Sequence, residues 1–420
     1  MSRSGREAVE AVWRIESARI VGALARHTGD FAHAEDLAQE ALAEALVTWP
    51  RDGVPQNPYG WLLTVGKRRA IDTYRRRAAL DDRYAALARE HTDVGEVSYD
   101  PDAIDDDMLA LMFTACHPTL KPEAQVALTL RVVGGLGSDE IARAFVVPTA
   151  TVQARITRAK KTLAAAKVPF AVPEPAERRE RLAAVLGVVY LIFTEGSTAT
   201  SGDSLIRTDL VREAIRLSRI LARILPDEHE TLGLLALLEL TAARMPARTG
   251  PDGEPVLLAD QDRRRWDRSA IRRGGAALAM AGRSGRGLGA YGLQAAIAEC
   301  HAVARSTDDT DWDRIVLLYE ALGTLTPSPI VDLNRAVAVS MAHGPAAALP
   351  LVDELAVGGR LATSHLLPTV RGELLVRLGR PAEARPELEL AVRLCRNERE
   401  RSVLQAKINS LGAGGEWPAG

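Results

Sequence analysis

The sequence predicts an all-α protein: two small helical domains, the second a helix-turn-helix, followed by an α-helical repeat domain. Three observations predict this. Aromatic residues make up only 4% of the chain, and Ala, Leu and Arg dominate it, a composition of strong helix formers. Apolar residues recur at helical spacing along most of its length. Clusters of Gly and Pro near residues 29–30, 50–58, 134–137 and 168–176 then punctuate those periodic stretches. At 420 residues the length suggests about three domains, and 47% hydrophobic content suffices for a sizeable core.

The first unit spans 6–78. Val9, Val12, Ile15, Ile20, Val21 and Leu24 support an opening helix or helix pair, which Gly29-Asp30 breaks. Ala34 to Trp49 makes the next helix, with Leu37, Ala41, Leu42, Ala45 and Leu46 facing inward and Glu35, Asp36, Gln39, Glu40 and Glu44 facing out. A loop over 50–58 leads into a helix of two characters. Trp61, Leu62, Val65 and Ile71 recur at core spacing, whereas Lys67, Arg68, Arg69, Arg75, Arg76 and Arg77 bring cations to one end, with Asp72 as the one acid among them. A solvated helix usually mixes both signs, so this imbalance points to a polyanion such as nucleic acid.

Residues 79–107 form an acidic connector: Asp81, Asp82, Glu90, Asp93, Glu96, Asp100, Asp102, Asp105, Asp106 and Asp107 stand against Arg83 and Arg89. Residues 108–168 form the second unit. Leu109, Leu111, Met112 and Phe113 open it, and a helix begins near Pro122 and stops at the glycines after Val132. From Ser138 to Lys161 the pattern is short helix, tight connection, second helix. Ile141, Ala142 and Phe145 supply an apolar face on the first, Val152 and Ile156 on the second, with Ser138 and Thr149 as the expected N-caps. Gln153, Arg155, Thr157, Arg158, Lys160 and Lys161 remain for the outer face of the second helix, which in a helix-turn-helix enters the major groove. The net charge of −2 hides this order of basic, acidic and basic blocks.

A proline-rich linker over 169–176 precedes a C-terminal segment, 177–420, that reads as helix apart from a turn or short hairpin over Pro246 to Pro255. Near its end Leu333 to Pro345 aligns with Thr369 to Pro381, and each is followed by an Ala/Glu-rich amphipathic stretch, an offset close to the roughly 34-residue period of tetratricopeptide helix pairs. Gly287-Leu-Gly-Ala-Tyr-Gly292 matches GxGxxG, but no strand precedes it, so the spacing alone does not make a dinucleotide fingerprint. Cys116-His117 and Cys300-His301 lack metal-ligand spacing, and three cysteines far apart suggest no disulfide framework. Gln261 to Asp267, dense in charge around Trp266, reads either as a capped helix start or as a dock onto the preceding domains. The apolar runs Leu182 to Phe193 and Leu232 to Leu240 are too short to span a bilayer, and the N-terminus carries no apolar signal region, so a cytoplasmic protein is expected.

Three motifs in order resemble sigma factors of bacterial RNA polymerase, of the extracytoplasmic-function class. Asp36 to Leu46 looks like that family's polymerase-binding helix, Trp61 to Asp72 its promoter-melting helix, and Pro122 to Lys161 its −35-reading domain, with Glu140-Ile141-Ala142 and Thr151-Val152 as typical elements. Residues 177–420 resemble the helical-repeat extension of one subgroup, where it is thought to regulate activity. The resemblance implies core RNA polymerase (beta-prime clamp and beta flap) and promoter DNA as partners, an intramolecular contact from the C-terminal domain, and no catalytic residue, metal or cofactor. It assigns Tyr59, Trp61, Lys67, Arg68, Arg69, Asp72, Tyr74, Arg75, Arg76 and Arg77 to −10 DNA. Thr149, Thr151, Gln153, Arg155, Thr157, Arg158, Lys160 and Lys161 go to −35 DNA, and Asp36, Gln39, Glu40 and Glu44 to core polymerase. Two other readings of the residues stay open: a stand-alone helix-turn-helix regulator with a ligand- or protein-sensing helical domain, and a scaffold or enzyme worked by the repeat domain.

Overall fold

A computed structural model describes residues 3–78, 101–197, 207–250, 256–395 and 398–411. It is helical throughout and has no β-strand among those residues. Two compact units divide between Ile192 and Phe193, so the proline-rich 169–176 is not where the chain separates.

The first unit begins with α1 (Arg3–Thr28), α2 (Phe31–Asp52) and α3 (Pro58–Ala78), which pack on one another. Gly29, at a left-handed φ of 65°, turns the chain between the first two, and the Asp30 carboxylate caps α2 by accepting the His33 N–H at 3.0 Å. The Asn57 side chain accepts the Gly60 N–H at 2.9 Å and opens α3. Ile20, Leu24, Leu37, Ala41 and Leu62 are fully enclosed between the three helices. Gly66 lies where an added Cβ would meet Leu24 at 2.8 Å, so glycine sets how closely α1 and α3 approach.

α4 (Pro101–Ala115), α5 (Pro122–Val132), α6 (Ser138–Phe145) and α7 (Thr149–Ala165) follow. The acidic connector was expected to run to Asp107, but its last seven residues are the first half of α4, which packs on α1. Residues 79–100 lie outside the described residues. The helix-turn-helix is α6 and α7, buried through Ile141, Ala142, Val152, Ile156 and Ala159 against α5. Ser138 and Thr149 are not N-caps: each helix begins on them, behind Gly137 and Pro148. Glu140 supplies the missing acceptor by taking the Gly137 N–H at 2.8 Å. Val146 turns the corner in the left-handed region at φ 51°, a conformation that costs a β-branched residue energy and makes this bend a strained one. α8 (Pro175–Ser197) then places Arg181 so that it donates to the Phe113 carbonyl at 2.9 Å.

Asp107 is 5% exposed and lies against α1, where Arg26 is its ion-pair partner at 3.3 Å. Burial pushes its carboxyl up to about 6, Arg26 opposes this and Asp106 adds to it. Between pH 4 and 6 the folded chain therefore holds a proton that the unfolded chain has lost, and stability falls as pH rises through that window. Asp107→Asn is expected to stabilise the first unit by about 1–2 kcal/mol at pH 7 and to do nothing near pH 3.5. Chemical denaturation at both pH values checks this; equal effects at both would show that the carboxylate is not the source.

In the second unit α9 (Thr208–Ile224), α11 (Arg268–Gly282) and α12 (Gly289–Val303) pack on the apolar α10 (His229–Ala242). Gly233 and Gly292 allow α10 and α12 to touch backbone to backbone, since an added Cβ on Gly233 would lie 2.6 Å from the Gly292 nitrogen. Glu239, 1% exposed, is bracketed by Arg219 and Arg273. The Val256 N–H donates to the Arg248 carbonyl at 2.9 Å, and residues 251–255 of the expected turn lie outside the described residues.

A run of helix pairs completes the chain: α13 (Trp312–Leu325), α14 (Pro329–His343), α15 (Pro345–Val357), α16 (Leu366–Arg377), α17 (Pro381–Leu394) and α18 (Glu398–Ser410), each packed on the next. The aligned segments of the sequence repeat fall on α14 and α16, and Pro345 and Pro381 open the following helices at matching positions. Leu333, Ala336, Ala348, Val352, Leu374, Leu375 and Ala384 form their shared core.

Candidate nucleic-acid interface

The basic helix α3 divides its residues as its spacing requires. Leu62, Leu63, Val65, Ala70 and Ile71 are buried, whereas Arg68, Arg69, Asp72 and Arg75 are exposed and Lys67 is half-buried. The side chains of Arg76 and Arg77 lie outside the described residues. Arg69 donates to Glu44 of α2 at 2.9 Å, and this hydrogen bond raises its pKa further above an already high value. Among the described cations of α3, Arg69 is thus tied to a neighbouring helix.

The three aromatics separate. Tyr59 is half-buried, with the Arg19 guanidinium 4.5 Å over its ring, and burial raises its phenol pKa. Trp61 is half-buried, edge-on to the enclosed Trp49 at 5.4 Å. Tyr74 was expected beside them as a stacking surface, but it is 4% exposed and packs against His33, with its hydroxyl 3.4 Å from the Thr28 carbonyl. Three residues beyond the buried Ile71, it continues the apolar stripe of α3, and its ring faces are not open to a base.

On α7, Gln153, Thr157, Arg158 and Lys161 are exposed and Thr149, Thr151 and Arg155 half-buried. Lys160 behaves differently. Its ammonium donates to Glu35 at 2.7 Å and also to Asp36, both on α2. Burial alone would lower its pKa, but the two carboxylates outweigh burial and raise it. Glu35, expected on the outer face of α2, is 3% exposed and also pairs with Arg131 of α5 at 3.4 Å. Of the predicted polymerase contacts, Asp36 and Glu40 are exposed and Gln39 and Glu44 half-buried. Glu35 and Arg131 were missed as interacting residues. The one signal in the sequence was that Glu35 stands one turn before buried Ala38, at the border of the apolar stripe.

Other motifs resolve into architecture. The N-terminus of α12, which carries the GxGxxG match, already holds an anion: the Glu230 carboxylate accepts the Ala290 and Tyr291 N–H groups at 2.6 and 3.0 Å. Asp267 caps α11 through the Ser269 and Ala270 N–H groups. Trp266 is enclosed between Arg244 and Arg263, so Gln261 to Asp267 is a capped helix start built around a buried indole. Cys116 is buried beside Thr129, and burial pushes its thiol up to about 12, while Cys300 sits in the core with Ile315 and Val316.

An exposed row of cations on one helix, and a helix-turn-helix with its outer face open, define a helical protein that engages DNA through two separate elements. Family models match in the same order: sigma-70 region 2 over residues 14–79, sigma-70 region 4 over 110–163, and a family of unknown function (DUF6596) over 181–282. An uncharacterized protein of Rhizobium meliloti (strain 1021) is 44% identical over 94% of this chain and 93% of its own length. The ECF RNA polymerase sigma factor SigK of Mycobacterium ulcerans is 25% identical over 39% of this chain and 87% of its own length. No solved structure matches the chain. The chain belongs to the sigma-70 family and fits its extracytoplasmic-function class with a C-terminal extension. It is a sigma factor for promoter-directed transcription initiation, not an enzyme, and it binds core RNA polymerase and promoter DNA. No helix among the described residues is long and apolar enough to cross a membrane.

Proposed function

We propose that α3 engages the −10 element, α7 reads the −35 element, the acidic face of α2 receives the beta-prime clamp, the region around α7 meets the beta flap, and the C-terminal helical part modulates initiation. The observation that carries this reading is the segregation of charge: exposed Arg68, Arg69 and Arg75 on α3, exposed Arg158 and Lys161 on α7, exposed Asp36 and Glu40 on α2. Phosphate neutralisation supplies affinity on the first two surfaces, and an acidic surface of the third kind fits a basic patch on a protein. Tyr59 and Trp61 stand nearest the α3 cations as surfaces for an unpaired base, an interaction that contributes about 1–3 kcal/mol in other single-strand binders. A protein working on promoters in this way acts in the cytoplasm. The helix pairs α13–α18 support a tetratricopeptide-like reading of the extension, whose role is regulatory because α3 and α7 already provide the DNA contacts.

Transcription in vitro with core polymerase on a pool of random promoters tests the assignment. Transcripts sharing −35 and −10 elements are expected with the full chain. A chain ending at Ser197 is expected to change their yield severalfold, in the direction that gives the sign of control. Equal yields from both chains would remove the regulatory role. Specific duplex binding with no transcript from either would favour a stand-alone regulator.

A further inference from the structure

We propose that His365, Cys395 and Glu400 form a binding site for a zinc ion, which fastens the last helix, α18, to α16 and α17. The three residues lie in the second unit, and none of them is assigned to DNA or polymerase.

The helix order brings the three together. α16, α17 and α18 run up, down and up, so the start of α16, the end of α17 and the start of α18 meet at one end of the stack. His365 precedes α16, Cys395 follows α17, and Glu400 lies in the first turn of α18. His365 and Glu400 therefore hold matching places about one repeat apart. The His365 Nε2 is 3.5 Å from the Glu400 Oε2, and the Cys395 thiol donates to that same oxygen at 3.8 Å. All three ligand atoms lie within 4.8 Å of one another. The sulfur is held in place beforehand. Cys395 is 2% exposed in a core with Leu388, Ala391, Leu404 and Ile408, and the Arg401 guanidinium donates to its carbonyl at 2.8 and 3.2 Å. His365 and Glu400 are half-buried, which leaves an ion a path in from solvent.

A tetrahedral zinc ion, roughly 2.3 Å from sulfur and 2.0–2.2 Å from nitrogen and oxygen, keeps its ligand atoms roughly 3.3–3.7 Å apart. Both spacings to the Glu400 oxygen are already close to that range. A thiolate and a carboxylate together cancel the charge of a dication, so the filled site is neutral and suits a half-buried corner. The thiol proton passes to solvent as the sulfur–zinc bond forms. Sulfur disfavours calcium and magnesium, and a mixed sulfur, nitrogen and oxygen set suits zinc. A cysteine nucleophile is the competing reading of these residues. It needs the imidazole placed between thiol and carboxylate as a relay. Here thiol and imidazole both face one carboxylate oxygen and the sulfur is enclosed, so the three atoms converge on a point instead. Three protein ligands leave the fourth position to water, which makes the ion exchangeable rather than caged. Because the ligands come from three helix ends, the binding energy of the ion holds those ends together.

Titration of the metal-stripped full chain with Zn(II), in competition with a chromophoric chelator, tests this. One ion is expected to bind per chain. Co(II) in its place is expected to show the visible bands of a tetrahedral ion and the near-ultraviolet band of a cobalt–thiolate bond. Cys395→Ser is expected to abolish the thiolate band and to weaken Zn(II) binding at least ~100-fold. Cys116 and Cys300 remain in that variant, so a band that persists would place the metal elsewhere and overturn the site. Cys395 packs in a core, so His365→Ala and Glu400→Gln, at half-buried positions, provide a measurement that leaves that core alone. Each is expected to lower Zn(II) affinity at least ~10-fold with unchanged helicity by circular dichroism. Zn(II) is also expected to raise the melting temperature of the wild-type chain and not that of these variants. A full chain that binds no Zn(II), or that binds it no better than His365→Ala and Glu400→Gln do, would overturn the proposal. No readout here uses polymerase or promoter, so that failure would leave the sigma reading as it stands.

Discussion

Replacing Arg68 and Arg75 together with alanine is expected to lower polymerase-dependent promoter binding by at least ~10-fold in low salt and to flatten its salt dependence. Both side chains are exposed on α3, so no enclosed packing is lost. Each phosphate contact removed from B-DNA takes about 0.9 from the slope of log affinity against log salt, so two take about 1.8. Between 50 and 200 mM salt the wild-type affinity should then fall roughly 12-fold more than that of the variant. Arg69→Ala is the internal comparison. Arg69 is held by Glu44 at 2.9 Å, so its loss removes a cation already partly neutralised and should matter less. Promoter binding by holoenzyme titrated against salt decides the matter. A double variant with the wild-type slope would mean that these arginines face neither strand.

Most of the architecture that positions these residues follows from local patterns. Ile141 and Ala142, then Val152 and Ile156, place both helices of the helix-turn-helix, because burial at helical spacing is a short-range signal. The cations of α3 are equally visible, since charges on the polar side of a stripe have no alternative place. What the sequence hid is tertiary. Glu35 looks like any acid on an amphipathic helix, and only folding brings to it Arg131 and Lys160, 96 and 125 residues away along the chain. Tyr74 looks like an aromatic set among cations, yet its ring completes the core while its hydroxyl meets the Thr28 carbonyl. Trp266 lies in a dense run of charge and is buried all the same, because Arg244 and Arg263 lie against its faces. The glycines of 287–292 match a phosphate-binding spacing, but Glu230 fills the helix terminus that a phosphate would need. Each of these side chains has both an apolar body and a polar end, or a charge whose partner is distant, and spacing alone does not say which property decides its place.

The recognition helix yields the second large effect, and it is one of specificity. Gln153 and Arg158 are exposed on α7, where they can reach base edges once the helix lies in the major groove. A bidentate contact to a base discriminates by about 1–3 kcal/mol, which is roughly 5- to 150-fold, whereas a phosphate contact only positions the protein. Gln153→Ala with Arg158→Ala is therefore expected to flatten sequence preference at the −35 element across a promoter library while leaving the −10 preference as it was. Lys161→Ala is expected to do the opposite. On the proposed role of Lys161 as a backbone contact, losing its exposed charge should weaken all promoters alike and reduce the salt slope by about 0.9. Sequencing of transcripts from a randomised −35 region, at fixed salt, separates the two behaviours. If the double variant keeps its −35 preference and merely transcribes less from every promoter, then Gln153 and Arg158 are backbone clamps, and base readout lies with Arg155 and Thr151, the half-buried residues at the same end of α7.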